Sequence, residues 1–158
     1  MDFGDFEFEG KDSTKWVHLE VDGKPLYWNG KSITIEENDK PCRVELLPAG
    51  SNEVYEAFTK YRVAESAQDR RVARAKDKDI DDLEAKHAAK LERLLDDLIV
   101  AAIKSWENVF VNGSEDCTPE NVRLLIDRKA SAAKRQVRMQ IFDTIAEGRA
   151  NLGNAAQD

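Results

Sequence analysis

The sequence predicts an α+β fold: a small N-terminal antiparallel β-sheet followed by a helical region of about four helices with a long helical hairpin. Two observations predict it. Between residues 15 and 47 apolar residues alternate in short runs separated by Asp22-Gly23, Asn29-Gly30 and Asn38-Asp39-Lys40-Pro41, the period-two pattern and turn signals of strands. After Pro48-Ala49-Gly50-Ser51 the apolar residues recur every three or four positions, the period of helices. These features divide the chain into a β subdomain at 1–50, a helical region at 51–148 and a flexible C-terminal tail at 149–158.

Each element follows from local chemistry. Phe3, Phe6 and Phe8 alternate with acids, which fits either an edge strand or a disordered arm. Val17, Leu19 and Val21 alternate with Trp16, His18 and Glu20, giving a first strand. Residues 24–28 return from the first turn, residues 32–36 form a third strand, and residues 42–47 a fourth. Tight turns join neighbours, so the expected order is a meander, with a helix over its apolar face. Ser51 is positioned to cap the first helix, expected over 52–75, whose stripe, Val54, Phe58, Tyr61 and Ala64, is the natural lid for the sheet. A second helix, over 80–106, carries Ile80, Leu83, His87, Leu91, Leu94, Leu95, Leu98, Ile99, Ala102, Ile103 and Trp106. Its first half has a thin seam and pairs with the first helix as an antiparallel hairpin. Its second half is broad and apolar, as a packed core requires.

Residues 103–125 form the hinge of the chain. The long helix is expected to end near Trp106, the run Val109-Phe110-Val111 crosses the gap, and Asn112-Gly113 turns it. Thr118-Pro119-Glu120 then starts a helix over 119–128, with a capping hydroxyl, Pro in the first turn and an acid at the positive end of the dipole. The last helix is expected over 131–147. Ser131 caps it, Val137, Ile141, Phe142 and Ile145 form its stripe, and Gly148 stops it.

Composition narrows the functions. The chain has 158 residues, a formal net charge of −7 and 35% charged residues, so a nucleic-acid backbone is repelled on average. Arg70, Arg71, Arg74 and Lys76 form a local basic cluster, but Asp69, Asp77 and Asp79 interleave with them and no aromatic is near. The adopted reading is a solvated, protruding stretch of helix. No apolar run approaches the ~20 residues of a membrane span, and the acidic N-terminus is no signal peptide. Cys42 and Cys117 are far apart and read as free thiols in a reducing cytoplasm. His18 and His87 lack ligand spacing around them. Asn29-Gly30-Lys31-Ser32 lacks the upstream glycine and following helix of a phosphate loop. No triad, metal site or cofactor motif is present, so the expectation is a non-enzyme without cofactors. The thin seam and the basic face of Lys134, Arg135 and Arg138 suggest a weak homo-oligomer.

Several local passages carry a resemblance. The strand at 42–47 follows Pro41 and runs into Gly50-Ser51 and a helix with Tyr and Phe. A charged linker and a long helix follow. Then come Ser105-Trp106-Glu107-Asn108-Val109, a turn at Gly113, and Thr118-Pro119-Glu120-Asn121-Val122-Arg123-Leu124-Leu125. Over roughly residues 14–148 the chain resembles the tail assembly chaperones of long-tailed, non-contractile (siphovirus-type) bacteriophages. It departs from them in the polar insertion at 112–117 and in the Phe-rich acidic start. The resemblance implies a protein of the host cell cytoplasm that coats the tape measure protein, helps recruit tail tube protein subunits and is absent from the mature virion. Charge and hydropathy, for their part, lead to the expectation of neither nucleic-acid nor membrane binding. Partner contact is expected through helical apolar strips, at Leu83, Leu91, Leu95, Trp106, Ile141 and Phe142. Two other readings stay open: a structural subunit of the virion, of head–tail connector or tail terminator type, and an acidic nucleic-acid-associated regulator using the Arg70 cluster.

Overall fold

A computed structural model describes residues 14–74 and 77–157. The Phe3, Phe6 and Phe8 pattern and Lys76 lie outside the described residues. The elements, in order, are β1 (Lys15–His18), β2 (Glu20–Val21), β3 (Lys24–Pro25), β4 (Tyr27–Trp28), β5 (Ile33–Thr34), β6 (Arg43–Leu46), α1 (Asn52–Arg74), α2 (Asp77–Ala102), β7 (Ile103–Glu107), α3 (Pro119–Leu125) and α4 (Ala132–Gln157). The α+β class is as the sequence predicts. Among the described residues, no helix is long and apolar enough to cross a membrane.

The strand order differs from a meander. The turns at Asp22-Gly23 and Asn29-Gly30 do close hairpins, β2 with β3 and β4 with β5. The last strand of the subdomain, β6, instead returns to β1 and also pairs with β7, giving a three-stranded antiparallel sheet in the order β1-β6-β7. The hairpins are joined to it by backbone bonds: the Leu19 amide donates to Cys42 O, Leu26 to Leu19 O, Cys42 to Leu26 O and Trp28 to Lys40 O, each at 2.9 Å.

The stretch expected to end the long helix is a strand. Ile103 and Trp106 are both buried although they lie three residues apart, a spacing that points to a helix. The register explains it: Glu45 faces Ser105 while Leu46 faces Ile103. Lys104 is therefore the extra residue of a bulge, which resets the alternation and turns both apolar neighbours inward. Trp106 is 6% exposed, and its Nε1–H donates to Glu115 O at 2.6 Å.

The core lies on one face of the sheet, where Val17, Val44, Leu46 and Trp106 meet Val54, Leu98, Ile99, Ala102, Ile141 and Ile145. Each fully buried Leu, Ile or Val contributes about 1.5–3 kcal/mol. The expected lid was α1, but α4 lies against β2, and α2 runs directly into β7. Of α1, Val54 reaches the core, with Ala57, Phe58 and Tyr61 packed at its margin. The hairpin itself is present: Ala64 and Ala67 of α1 share a cleft with Leu83 and His87 of α2, while Ala57 and Lys60 neighbour Leu94 and Ala101, so the helices run antiparallel. The opposite face of the sheet carries Arg43, Glu45 and Ser105, with the Trp16 ring 4.4 Å from the Arg43 guanidinium. Thr14 and Ser105 hydroxyls donate to the Glu45 carboxylate at 2.7 and 2.8 Å, and these bonds hold Glu45 below the usual carboxylate range. The stabilisation is present above the ordinary carboxylate pKa and fades as pH falls through the lowered value.

Helix ends obey cap chemistry with two exceptions. Thr118 accepts from the Asn121 amide at 3.2 Å and Ser131 from the Lys134 amide at 3.1 Å, so both expected caps form. Ser51 precedes α1 as expected, but its hydroxyl is buried without a hydrogen-bond partner. Gly148 does not stop α4, and the tail expected to be flexible from residue 149 is helical to Gln157. Gly148 serves close approach instead: a Cβ there would sit 3.1 Å from Ala49 Cβ. Just beyond it, Arg149 Nη1 donates to Ala49 O at 2.8 Å, which ties this end of the helix to the domain boundary.

Among the described residues, one charged side chain is buried. Arg138 of α4 is 3% exposed. Its guanidinium pairs with Asp96, with Glu92 Oε2 at 2.6 Å and with Glu92 O at 3.0 Å, and it reaches Ile126 O at 3.4 Å. It thereby ties α2, the end of α3 and α4. The side chains of Glu92 and Asp96 are one-third exposed, so water shares the cost of leaving them unpaired.

Two outcomes follow for chemical unfolding in urea. Trp106→Ala removes a buried ring and a hydrogen bond and lowers the unfolding free energy by about 3–5 kcal/mol. Arg138→Ala lowers it by about 2–4 kcal/mol, below the full cost of breaking a wholly buried pair because the carboxylates keep some water.

Candidate binding groove

The helical strips expected to meet a partner are mostly used inside the fold. Leu95, Trp106 and Ile141 belong to the core and are not available to a partner. Phe142 is half-buried and packs edge-on to Tyr61 at 5.4 Å. Leu91 is half-buried, and Leu83 lies half-buried in the hairpin cleft beside His87. The structure thus does not gather these six residues into one surface. Of the basic cluster, Arg70 and Arg71 are exposed; the side chains of Arg74 and Lys76 lie outside the described set.

The open apolar surface lies elsewhere. A groove of about 590 Å³ runs between the two hairpins, the loop after β7 and the start of α4. Leu19, Leu26, Cys42, Val109, Val111 and Val137 supply its buried apolar lining. Ile33 and Ile35 form its outer margin, 50% and 55% exposed. Ile33 opens β5 and Ile35 directly follows its end. Asp22, Lys24, Asn112, Ser131 and Lys134 supply its polar groups.

Three local devices hold this shape. First, the loop wall is set by left-handed backbone at Asn108, Asn112 and Gly113, with φ of 56°, 51° and 81°, a region that Asn and Gly enter at least cost. Asn108 Nδ2 donates to Pro41 O at 3.0 Å. Second, Phe110 stacks on Trp28 with ring centroids 4.2 Å apart, which joins the loop to the second hairpin. Third, α4 braces β2 with two glutamines one turn apart. Gln140 accepts from the Glu20 amide at 2.9 Å and donates to His18 O at 2.8 Å. Gln136 accepts from the Asp22 amide at 2.6 Å and donates to the Asp22 carboxylate at 2.9 Å. These side chains satisfy the strand edge much as another strand would.

The titratable groups near the groove have structural roles. His18 Nε2 lies 2.7 Å from Leu26 O, and the ring meets Tyr27 edge-on at 4.9 Å. Among the described residues, no three His, Cys, Asp or Glu side chains are grouped as metal ligands. Burial pushes the Cys42 thiol up to about 11, and burial also raises that of Cys117. The raised thiol of Cys42 favours the fold below its ordinary value of 9.0, and the advantage is lost as pH rises towards about 11.

Sequence reasoning missed the groove because its residues come from several segments far apart in the chain. The available signals were the Val109-Phe110-Val111 run and the isoleucine pair. Both read as ordinary strand or gap-crossing residues until the hairpins are placed. For the thiols, native protein treated with an aromatic disulfide reagent at pH 8 is expected to release at most one equivalent, from half-buried Cys117. Unfolded protein is expected to release two; rapid native labelling of Cys42 would show that the groove floor opens.

No protein-family model, curated protein or solved structure matches this chain.

Proposed function

We propose that this chain is a tail assembly chaperone of the siphovirus type, which coats the tape measure protein, helps recruit tail tube subunits and is shed before the virion is complete. The observation that carries the reading is the open apolar groove, with Ile33 and Ile35 exposed at its margin. An uncovered apolar concavity of this kind marks a surface reserved for another molecule. An elongated helical partner exposes apolar stripes until its tube is assembled, and grooves cover such stripes by helix-in-groove contact. The net charge of −7 keeps the coated complex soluble and sets copies apart. The resemblance around Trp106 and Thr118-Pro119-Glu120-Asn121 points the same way. On this reading the chain does its work by contact, without catalysis or a cofactor, in the host cytoplasm.

Co-expression with a candidate tape measure protein tests the proposal. The expected result is co-purification with several copies per partner, and absence from finished particles by mass spectrometry. The double variant Ile33→Ser/Ile35→Ser is expected to lose co-purification while its unfolding free energy stays within about 0.5 kcal/mol of the parent per site, as for exposed positions. A partner equally soluble alone, or persistence of the chain in particles, would favour a virion subunit instead.

A further inference from the structure

We infer that the groove recognises an amphipathic helix whose apolar face is flanked by Asp or Glu, and that Lys24 and Lys134 select it. The inference deepens the proposed function and rests on its reading of this groove as a docking site.

The backbone around the groove settles the form of the occupant. The amides of Leu19, Leu26 and Cys42 are bonded to one another's carbonyls. The amides of Glu20 and Asp22 are taken by Gln140 and Gln136. An extended segment laid into this groove would find these amides already used, and burying its own unpaired amides would cost free energy. A helix brings its backbone bonds with it. The helical wall of the groove begins with Ser131 and Ala133, small side chains that leave room for a close approach. Ile33 and Ile35 continue the apolar surface past the cavity, as a helix presenting anchors at i, i+3, i+4 and i+7 requires.

The charge around the groove settles the flanks. Its lining holds two cations, Lys24 and Lys134, and one anion, Asp22, on a chain whose net charge is −7. The Asp22 carboxylate is engaged by Gln136. Lys24 is exposed, and among the described residues no ion pair holds its ammonium. Lys134 donates one proton to Leu124 O at 2.7 Å and keeps two others for an acceptor. The groove is thus a locally cationic place on an acidic protein, complementary to acidic flanks and repellent to basic ones.

Three fluorescent synthetic peptides with one common apolar helical face and Glu, Gln or Lys flanks test this on the full chain. Fluorescence anisotropy is read at low and high salt. The Glu-flanked peptide is expected to bind most tightly, and salt to narrow the difference. In Lys24→Glu/Lys134→Glu its Kd is expected to rise about tenfold, the effect of two exposed pairs, while the Lys-flanked peptide gains. That exchange of preference cannot come from misfolding. Lys24→Glu alone, which breaks no side-chain hydrogen bond, is expected to show half of the effect on a logarithmic scale. Equal Kd values for all three peptides, or an order of preference unchanged in the variants, would overturn the inference. So would binding of oleate with none of the peptides, which would assign the groove to a small apolar acid. If the chain coats a tape measure protein yet shows no peptide preference, the inference falls alone. If the preference holds while no coating occurs, the tail reading falls and the groove's specificity stands.

Discussion

The pairing of β6 with β7 is the constraint on which the other parts of the fold depend. It takes residues directly after a long helix and makes them the third strand of the N-terminal sheet. The helical region and the β subdomain therefore share one hydrogen-bonded sheet. The bulge at Lys104 sets the phase at which Trp106 enters the core, and the bond from its indole to Glu115 O fixes where the following loop returns. That return places Thr118 and Pro119 to begin α3, and it lays Val109, Phe110 and Val111 against the hairpins. Loss of the ladder would release both the core tryptophan and one wall of the groove, because both hang from the same strand.

A second set of contacts decides where α4 sits. Its apolar face, Val137, Ile141 and Ile145, supplies burial but little direction, since apolar packing tolerates rotation more readily than polar pairing does. The polar contacts supply direction. Gln136 and Gln140 reach the edge of β2 on one side, while Arg138 reaches Glu92 and Asp96 of α2 on the other. A buried arginine contributes little net stability compared with an apolar replacement, but a wrong rotation of the helix would leave it unpaired. The same three residues therefore fix the rotation that turns Ala133, Lys134 and Val137 towards the groove.

The elements were largely legible in the sequence, and the reasons for the exceptions are physical. The two hairpin turns, the helical hairpin and the caps at Thr118 and Ser131 are local signals read within a few residues. The strand at 103–107 was not legible, because a bulge gave Ile103 and Trp106 the spacing of a helix. Gly148 read as a stop, because its use in close approach to Ala49 depends on a residue far away in the sequence. Three of the candidate contact residues are unavailable for a related reason. Periodicity finds the apolar face of a helix without saying what covers it; here Leu95, Trp106 and Ile141 are covered by the protein itself. The groove joins residues from distant segments, each too short to stand out alone.

The size of the groove bears on how a coating protein would work. A single cavity of about 590 Å³ buries one short stretch of a partner helix, so each copy would bind modestly once the cost of association is met. Many copies along one long partner would still cover it well, because neighbouring copies on a shared template raise one another's effective concentration. Modest contacts also separate readily, as the proposed shedding requires: tube subunits packing more extensively on the same helix would displace each copy in turn without having to break one tight complex. The charge serves the same end. On the proposed role, the cationic groove would hold the partner, whereas the acidic remainder of the surface would discourage copies from closing on each other's grooves. On the proposed role, weakness per copy is therefore a working property of the groove, and Lys24 and Lys134 supply selectivity where apolar contact alone would accept any exposed stripe.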